Sequence, residues 1–196
     1  MIIHDISRGL LASPVYPGDP TPSLQKQKDM AFGDLYNLTA LSLSSHNGTH
    51  LDAPLHFVPD GADIPAVPLT QVVGECTVAE FSGAILATDV EDLLPSVKDR
   101  RLLIKGEAWV TPSAAYLLSD LQLLGTEQTS IAPPEHTASV HRHLLAENTV
   151  LLENLDLSGV KAGTYFLVAA PLKVEGAEGA PVRALLFEKE TWCKCQ

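Results

Sequence analysis

Short runs of alternating apolar and polar positions fill the chain, and turn residues separate them. Residues 37–43 (Asn-Leu-Thr-Ala-Leu-Ser-Leu) read as a strand leading into a histidine-rich segment. Residues 74–81 read as a second strand, with Cys76, Val78 and Phe81 pointing inward. Thr88-Asp-Val-Glu91 is a capping-box pattern, predicting a short helix that Pro95 ends. Arg101-Leu-Leu-Ile-Lys105 predicts a short buried strand. Thr111 as N-cap and Pro112 at the first helical position predict a helix through residues 113–121. A third helix is expected over residues 137–147, apolar at Val140, Leu144 and Leu145, with a strand over residues 148–153 behind it. Residues 164–170 and 181–187 are almost continuously apolar, which predicts central strands. Val15-Tyr-Pro-Gly-Asp-Pro20 is turn chemistry: Pro17 fixes φ and Gly18 tolerates a positive one. The sum is a strand-rich α/β chain with short helices.

Composition narrows the class. A length of 196 residues fits one domain, residues 1–196, with a sizeable core. With 45% hydrophobic and 19% charged residues the chain is an ordinary globular one. Its net charge of −11, with no basic stripe, argues against nucleic-acid binding. No apolar run is long enough for a membrane span, and Met1–Arg8 lacks the marks of a signal peptide. The three cysteines, Cys76, Cys193 and Cys195, are odd in number, and the last two are too close for an easy disulfide. They read as reduced thiols of a cytoplasmic protein. A metal-binding Cys-Lys-Cys tail is the alternative.

Three of the seven histidines fall within eleven positions, together with an aspartate: His46, His50, Asp52 and His56. Imidazole nitrogen with carboxylate oxygen is a donor set for Zn²⁺, and Mn²⁺ accepts it too. The spacing of His46 and His50 would place them on one helix face, but Asn47-Gly48 and Pro54 oppose a helix. A loop leaving a strand is expected instead. Gly48 then lets both imidazoles converge, and Asp52 shares the side of His50 in an extended segment. Three ligands from one segment leave positions open for water or substrate, as in a catalytic site. His56, beyond Pro54, suits proton transfer beside the ligands. The pattern predicts a metal-dependent hydrolase.

A metal centre often takes ligands from elsewhere in the fold. Glu153 ends the apolar run Val150-Leu-Leu152, an expensive place for a carboxylate unless a cation or hydrogen bonds meet it. His141 on the preceding helix is a second candidate, and His143 competes with it. His4 and His136 have no supporting context.

These residues carry a resemblance. His46-Asn-Gly-Thr-His50-Leu-Asp52-Ala-Pro54-Leu-His56 resembles the fingerprint H-x-G-T-H-x-D-x-P-x-H of the cyclase family, which includes bacterial kynurenine formamidase (arylformamidase) and isatin hydrolase. Tyr16-Pro-Gly-Asp-Pro20, His141 through Leu155, and Ala170–Val174 with Gly179–Arg183 resemble further family stretches. The resemblance implies a swivelling β/β/α, cyclase-like fold around a barrel-like sheet, assembled as a homodimer or higher oligomer. It also implies a two-metal site, usually zinc. His46, His50 and Asp52 would bind one ion. Asp52 and Glu153 would bridge to a second, completed by His141. His56 would be the general acid/base, and Tyr16 would line the substrate pocket. Phe57 and Phe32 are further aromatics for packing on a substrate ring. The implied activity is hydrolysis of a small-molecule amide such as N-formyl-L-kynurenine, with lactam or ester hydrolysis as the rival and a non-catalytic metal- or ligand-binding protein as the other class. Two departures bear on substrate: Tyr16 stands where formamidases typically have Trp, and residues 125–130 (Gly-Thr-Glu-Gln-Thr-Ser) differ from Gly-x-Asp-x-x-Ser.

Overall fold

The computed structural model describes residues 1–188. Cys193 and Cys195 lie outside the described residues, so the tail reading stays at the level of sequence. In chain order the strands are β1 (Ile3–Asp5), β2 (Ser23–Lys28), β3 (Leu38–Ser42), β4 (His50–Asp52), β5 (Val73–Glu80), β6 (Gly83–Ile85), β7 (Arg101–Lys105), β8 (Ala108–Val110), β9 (Leu123–Thr126), β10 (Val150–Glu153), β11 (Gly163–Val168), β12 (Gly179–Pro181) and β13 (Leu185–Glu188). The helices are α1 (Leu69–Val72), α2 (Ala87–Leu93), α3 (Pro112–Leu118) and α4 (Thr137–Ala146).

Nine strands form one curled, half-barrel sheet in the order β1-β13-β11-β5-β7-β9-β10-β4-β12. β5, β7, β9 and β10 run parallel, and antiparallel strands extend the sheet on both sides. The parallel strands are buried on both faces, as their continuous apolar runs require. Leu102, Ile104, Leu124 and Leu151 face α2, α3 and α4, packing on Val90, Leu118 and Leu144. Leu103, Leu123 and Leu152 alternate to the other face, where Cys76, Val78, Leu167 and Leu186 complete a second cluster. Phe81, one residue past the end of β5, packs against the helix-side cluster instead, on the side of Ala79.

Two expectations change. Residues 181–187 are not one central strand. Proline has no N–H for a ladder and is confined to edges, so Pro181 ends β12 at one edge and the remainder forms β13 near the opposite edge. The central strand is β7. Helix α2 starts at Ala87, not at Thr88, because the Asp89 carboxylate accepts from the Leu86 N–H at 2.8 Å and fixes the start there. Helix α3 keeps its expected cap, with Thr111 Oγ1 accepting from the Ala114 N–H at 3.3 Å, and ends at Leu118.

β2 and β3 form a separate hairpin, every residue of both strands being exposed. No helix among the described residues is long and apolar enough to cross a membrane.

Candidate metal centre

β4 carries the centre. It pairs antiparallel with β10 so that His50 lies directly opposite Glu153, and antiparallel with β12 on its other side. Strand periodicity sends Leu51 into the core, while His50 and Asp52 share the opposite side. His50 is thus the first residue of a strand, and His46 sits in the turn before it. Gly48 makes that turn with φ of 68°, and a Cβ there would stand 3.3 Å from the Leu10 Cα. The Ser44 N–H donates to Asn47 Oδ1 at 2.8 Å, closing the turn from its other end. Pro54–His56 form a single 3-10 turn that lifts His56 over the same site. From the far side, α4 presents His141, and β10 ends on Glu153.

All six predicted histidine and carboxylate side chains therefore meet. His46 Nδ1 lies 2.9 Å from Asp52 Oδ1, and His50 Nε2 lies 3.5 Å from the same oxygen. His50 Nε2 is 3.7 Å from Glu153 Oε2. His141 Nε2 is 3.2 Å from Glu153 Oε1 and 3.7 Å from Asp52 Oδ2. The rings of His46 and His56 stack at 4.1 Å. Ligand atoms cluster in two sets that share Asp52: His46, Asp52 and His56, and His50, Asp52 and Glu153.

The donors fit divalent cations on structural grounds. Asp52 Oδ2 is buried with no hydrogen-bond partner, a costly state for a carboxylate oxygen that an incoming cation would relieve. His50 Nδ1–H donates to Gly48 O at 2.9 Å, and His141 Nδ1–H donates to Thr137 O at 2.8 Å. Each bond fixes the tautomer and leaves Nε2 as a lone pair facing the site. The Ile131 N–H donates to Glu153 Oε1 at 2.7 Å and orients that carboxylate.

Electrostatics agree with a site built for positive charge. Burial works against a protonated His46, yet the hydrogen bond and charge of Asp52, with Glu178 and Glu153, raise its pKa from 6.5 to about 9. Burial likewise disfavours protonated His141, and Glu153 and Asp52 outweigh it to raise that pKa. Burial also opposes the Asp52 carboxylate, but His46, His50 and His56 hold its pKa well below the usual range. His56 is different: burial lowers its pKa, and the neighbouring His46 and His141 add to that against the pull of Asp52 and Glu153.

Tyr16 and Phe57 line the cavity over the centre, together with Pro14, Thr129 and Ser130; its volume is about 210 Å³. Phe32 does not reach it, since it sits in the β2–β3 hairpin, 89% exposed. His143 points elsewhere and stacks on Tyr116 at 4.2 Å. His4 bonds Glu188 near the sheet edge. Sequence reasoning missed Ser130 and Asn154, both lining the cavity with a buried, unpartnered oxygen. Asn154 holds a φ of 61°, a left-handed conformation that asparagine favours among residues with a Cβ, and its Nδ2 donates to Gly48 O at 3.2 Å. Sequence reasoning also missed Glu178, whose Oε1 lies 3.3 Å from His46 Nε2.

A solved structure described as a potential metal-dependent hydrolase with cyclase activity superposes with a TM-score of 0.81 at 28% identity, over 96% of this chain and 98% of that one. A predicted metal-dependent hydrolase from Bacillus stearothermophilus gives the same values. Isatin hydrolase A from Labrenzia aggregata, bound to benzyl benzoate, shares the fold at a TM-score of 0.79 and 20% identity, over 94% and 93% of the two chains. The sequence profile of the family described as "Putative cyclase" matches residues 4–156, which span the turn at Tyr16, the histidine segment and Glu153, and the chain belongs to that family.

Proposed function

We propose that the protein is a metal-dependent hydrolase acting on a small amide, with N-formyl-L-kynurenine as the first candidate substrate and kynurenine and formate as products. The observation that carries this reading is the unpartnered Asp52 Oδ2 at the meeting point of His50, His141 and Glu153, beneath a cavity walled by Tyr16 and Phe57. His46, His50, Asp52, His141 and Glu153 would hold two cations, for which Zn²⁺ fits the donors and Mn²⁺ is the second choice. Bound there, the cations would supply Lewis acidity and lower the pKa of a water towards neutrality.

The chain's own groups supply the rest. Tyr16 and Phe57 offer faces for an aromatic ring. Ser130 Oγ and Asn154 Oδ1 offer hydrogen bonds to polar atoms of a bound substrate. His56, its pKa lowered, rests neutral near pH 7 and can accept a proton from the attacking water. The water oxygen bonds to the formyl carbon, and the C–N bond then breaks as His56 returns the proton to the departing aniline nitrogen. Formate and the amine leave.

A cyclic amide or ester is the second reading. It is favoured by the shared fold with isatin hydrolases, one of them bound to the product analogue thioisatinate, and by Tyr16 in place of tryptophan. Ring opening needs the same attack on a carbonyl carbon. Formate release from N-formyl-L-kynurenine by Zn²⁺- or Mn²⁺-loaded protein, absent in His50→Ala, is the expected result. No release from protein that binds about two cations per chain would move the assignment to lactams and esters. Failure to bind divalent cations at all would end the metal-hydrolase reading.

The working unit we propose is a homodimer seated on the β2–β3 hairpin. Seven large apolar side chains of this hairpin and its tip are exposed: Leu24, Met30, Phe32, Leu35, Tyr36, Leu38 and Leu41. Leu24 and Leu41 pair across the hairpin on one face, and Phe32 and Leu35 stand exposed at its tip, an apolar strip for a second copy to cover. The charges of residues 23–42 cancel, Lys26 and Lys28 against Asp29 and Asp34, in a chain of net charge −11. Two copies can therefore meet here without the repulsion that the rest of their surfaces would impose. Light scattering should give twice the chain mass.

A further inference from the structure

His46 differs from the other two inward imidazoles in what holds its outer nitrogen. His50 and His141 are each anchored by a backbone carbonyl, Gly48 O and Thr137 O. His46 is anchored by a side chain: its Nε2 faces Glu178 Oε1 at 3.3 Å, while Nδ1 faces Asp52 in the site. Glu178 is itself held. Its Oε1 accepts from the Ser45 hydroxyl at 2.5 Å, and its backbone carbonyl accepts from the Ala53 N–H at 2.8 Å. The next residue is built for the same contact. A Cβ on Gly179 would come within 2.6 Å of His46 Cε1, so the absence of a side chain there lets the imidazole lie against β12. β12 and β4 are paired, with Gly179 opposite Asp52, so one ladder sets both the ligand and the carboxylate behind it.

We propose that Glu178 is a positioning residue for the metal centre, forming a carboxylate–imidazole–cation relay in which Glu178 holds the proton of His46 Nε2 and leaves Nδ1 as the ligand atom. A carboxylate in this place fixes the ring and increases the basicity of the donating nitrogen, more strongly than a neutral carbonyl does. His46 is then the one imidazole of the centre whose donor strength is set by a replaceable side chain. The inference rests on the metal-centre reading above.

The test is calorimetric binding of Zn²⁺ to metal-stripped protein, with the visible absorption of the Co²⁺-loaded form as a second readout. Loss of such an outer partner typically weakens metal affinity about 10–100-fold, and Glu178→Ala should fall in that range with an altered Co²⁺ band. Glu178→Gln keeps an acceptor oxygen and should lose less. Its nearly identical shape also makes it the variant to read if Glu178→Ala does not fold. Wild-type affinity and spectrum in the readable variant would overturn the proposal. A fall in the number of cations bound per chain would make Glu178 a direct ligand and overturn it too. A wild-type protein that binds no divalent cation would instead remove the metal centre itself, and Glu178 would have nothing to position.

Discussion

Residues 23–42 and residues 44–56 follow one another along the chain and break the usual rule of burial in opposite directions. The first stretch puts Leu24, Phe32, Leu35 and Leu41 into solvent. The second buries Asn47, His50 and Asp52 almost completely. Exposed apolar surface of this extent calls for a partner, and buried carboxylate and imidazole call for hydrogen bonds or a cation. The proposed homodimer would cover the first, and a divalent cation would meet the unpartnered Asp52 Oδ2 in the second. The lesson is that departures from ordinary burial, more than the well-behaved core, mark where this molecule acts.

The polar stretch carries the largest expected effects. Asp52 faces His46, His50 and His141 within the proposed ligand set, so Asp52→Ala should remove cation binding and turnover together, seen in metal content and product release. His56→Ala should keep the metal while lowering kcat by about 10²–10⁴-fold, and an unchanged kcat would sink the acid/base role. At the apolar end, Phe32→Asp with Leu35→Asp should convert the proposed dimer to monomer by light scattering. Loss of buried anchors of this kind costs about 2 kcal/mol or more each. Unaltered mass would show that the hairpin covers something other than a second copy.

The smallest effect is one of pH on metal-free protein. His46, raised from 6.5 to about 9, and His141, raised as well, stabilise the fold fully below pH 6.5. That contribution fades as pH rises through about 9. His56, lowered, works in the opposite sense and costs stability only below its unfolded value of 6.5. The melting temperature of metal-free protein should therefore decline between pH 6.5 and 9. Saturating Zn²⁺ should flatten the decline, because the cation takes the place of the protons.

Much of the centre was legible because its donors are adjacent in sequence or sit at the end of a clear pattern. His46, His50, Asp52 and His56 lie within one segment. Glu153 stood out as a carboxylate closing an apolar strand. The choice between His141 and His143 was open from spacing alone and is decided by the face of α4 that packs on β10. Glu178 carried no local signal: it sits in a glycine-rich loop, and only the pairing of β12 with β4 brings it to His46. Position within a sheet is equally invisible to hydrophobicity, which is why the apolar run over residues 181–187 suggested a central strand when Pro181 had already confined it to an edge.

The pairing of β4 with β10 has a kinetic meaning as well. His50 meets Glu153 across about a hundred residues of intervening chain, and that span includes β5, β7 and β9 of the same sheet. Closing so long a loop is entropically expensive until the strands between are in place. On this topology the donors would come together after the strands between them pair, and a cation would bind late in folding. A cation held there would act as a lock on the finished fold, slowing its opening more than it speeds its formation.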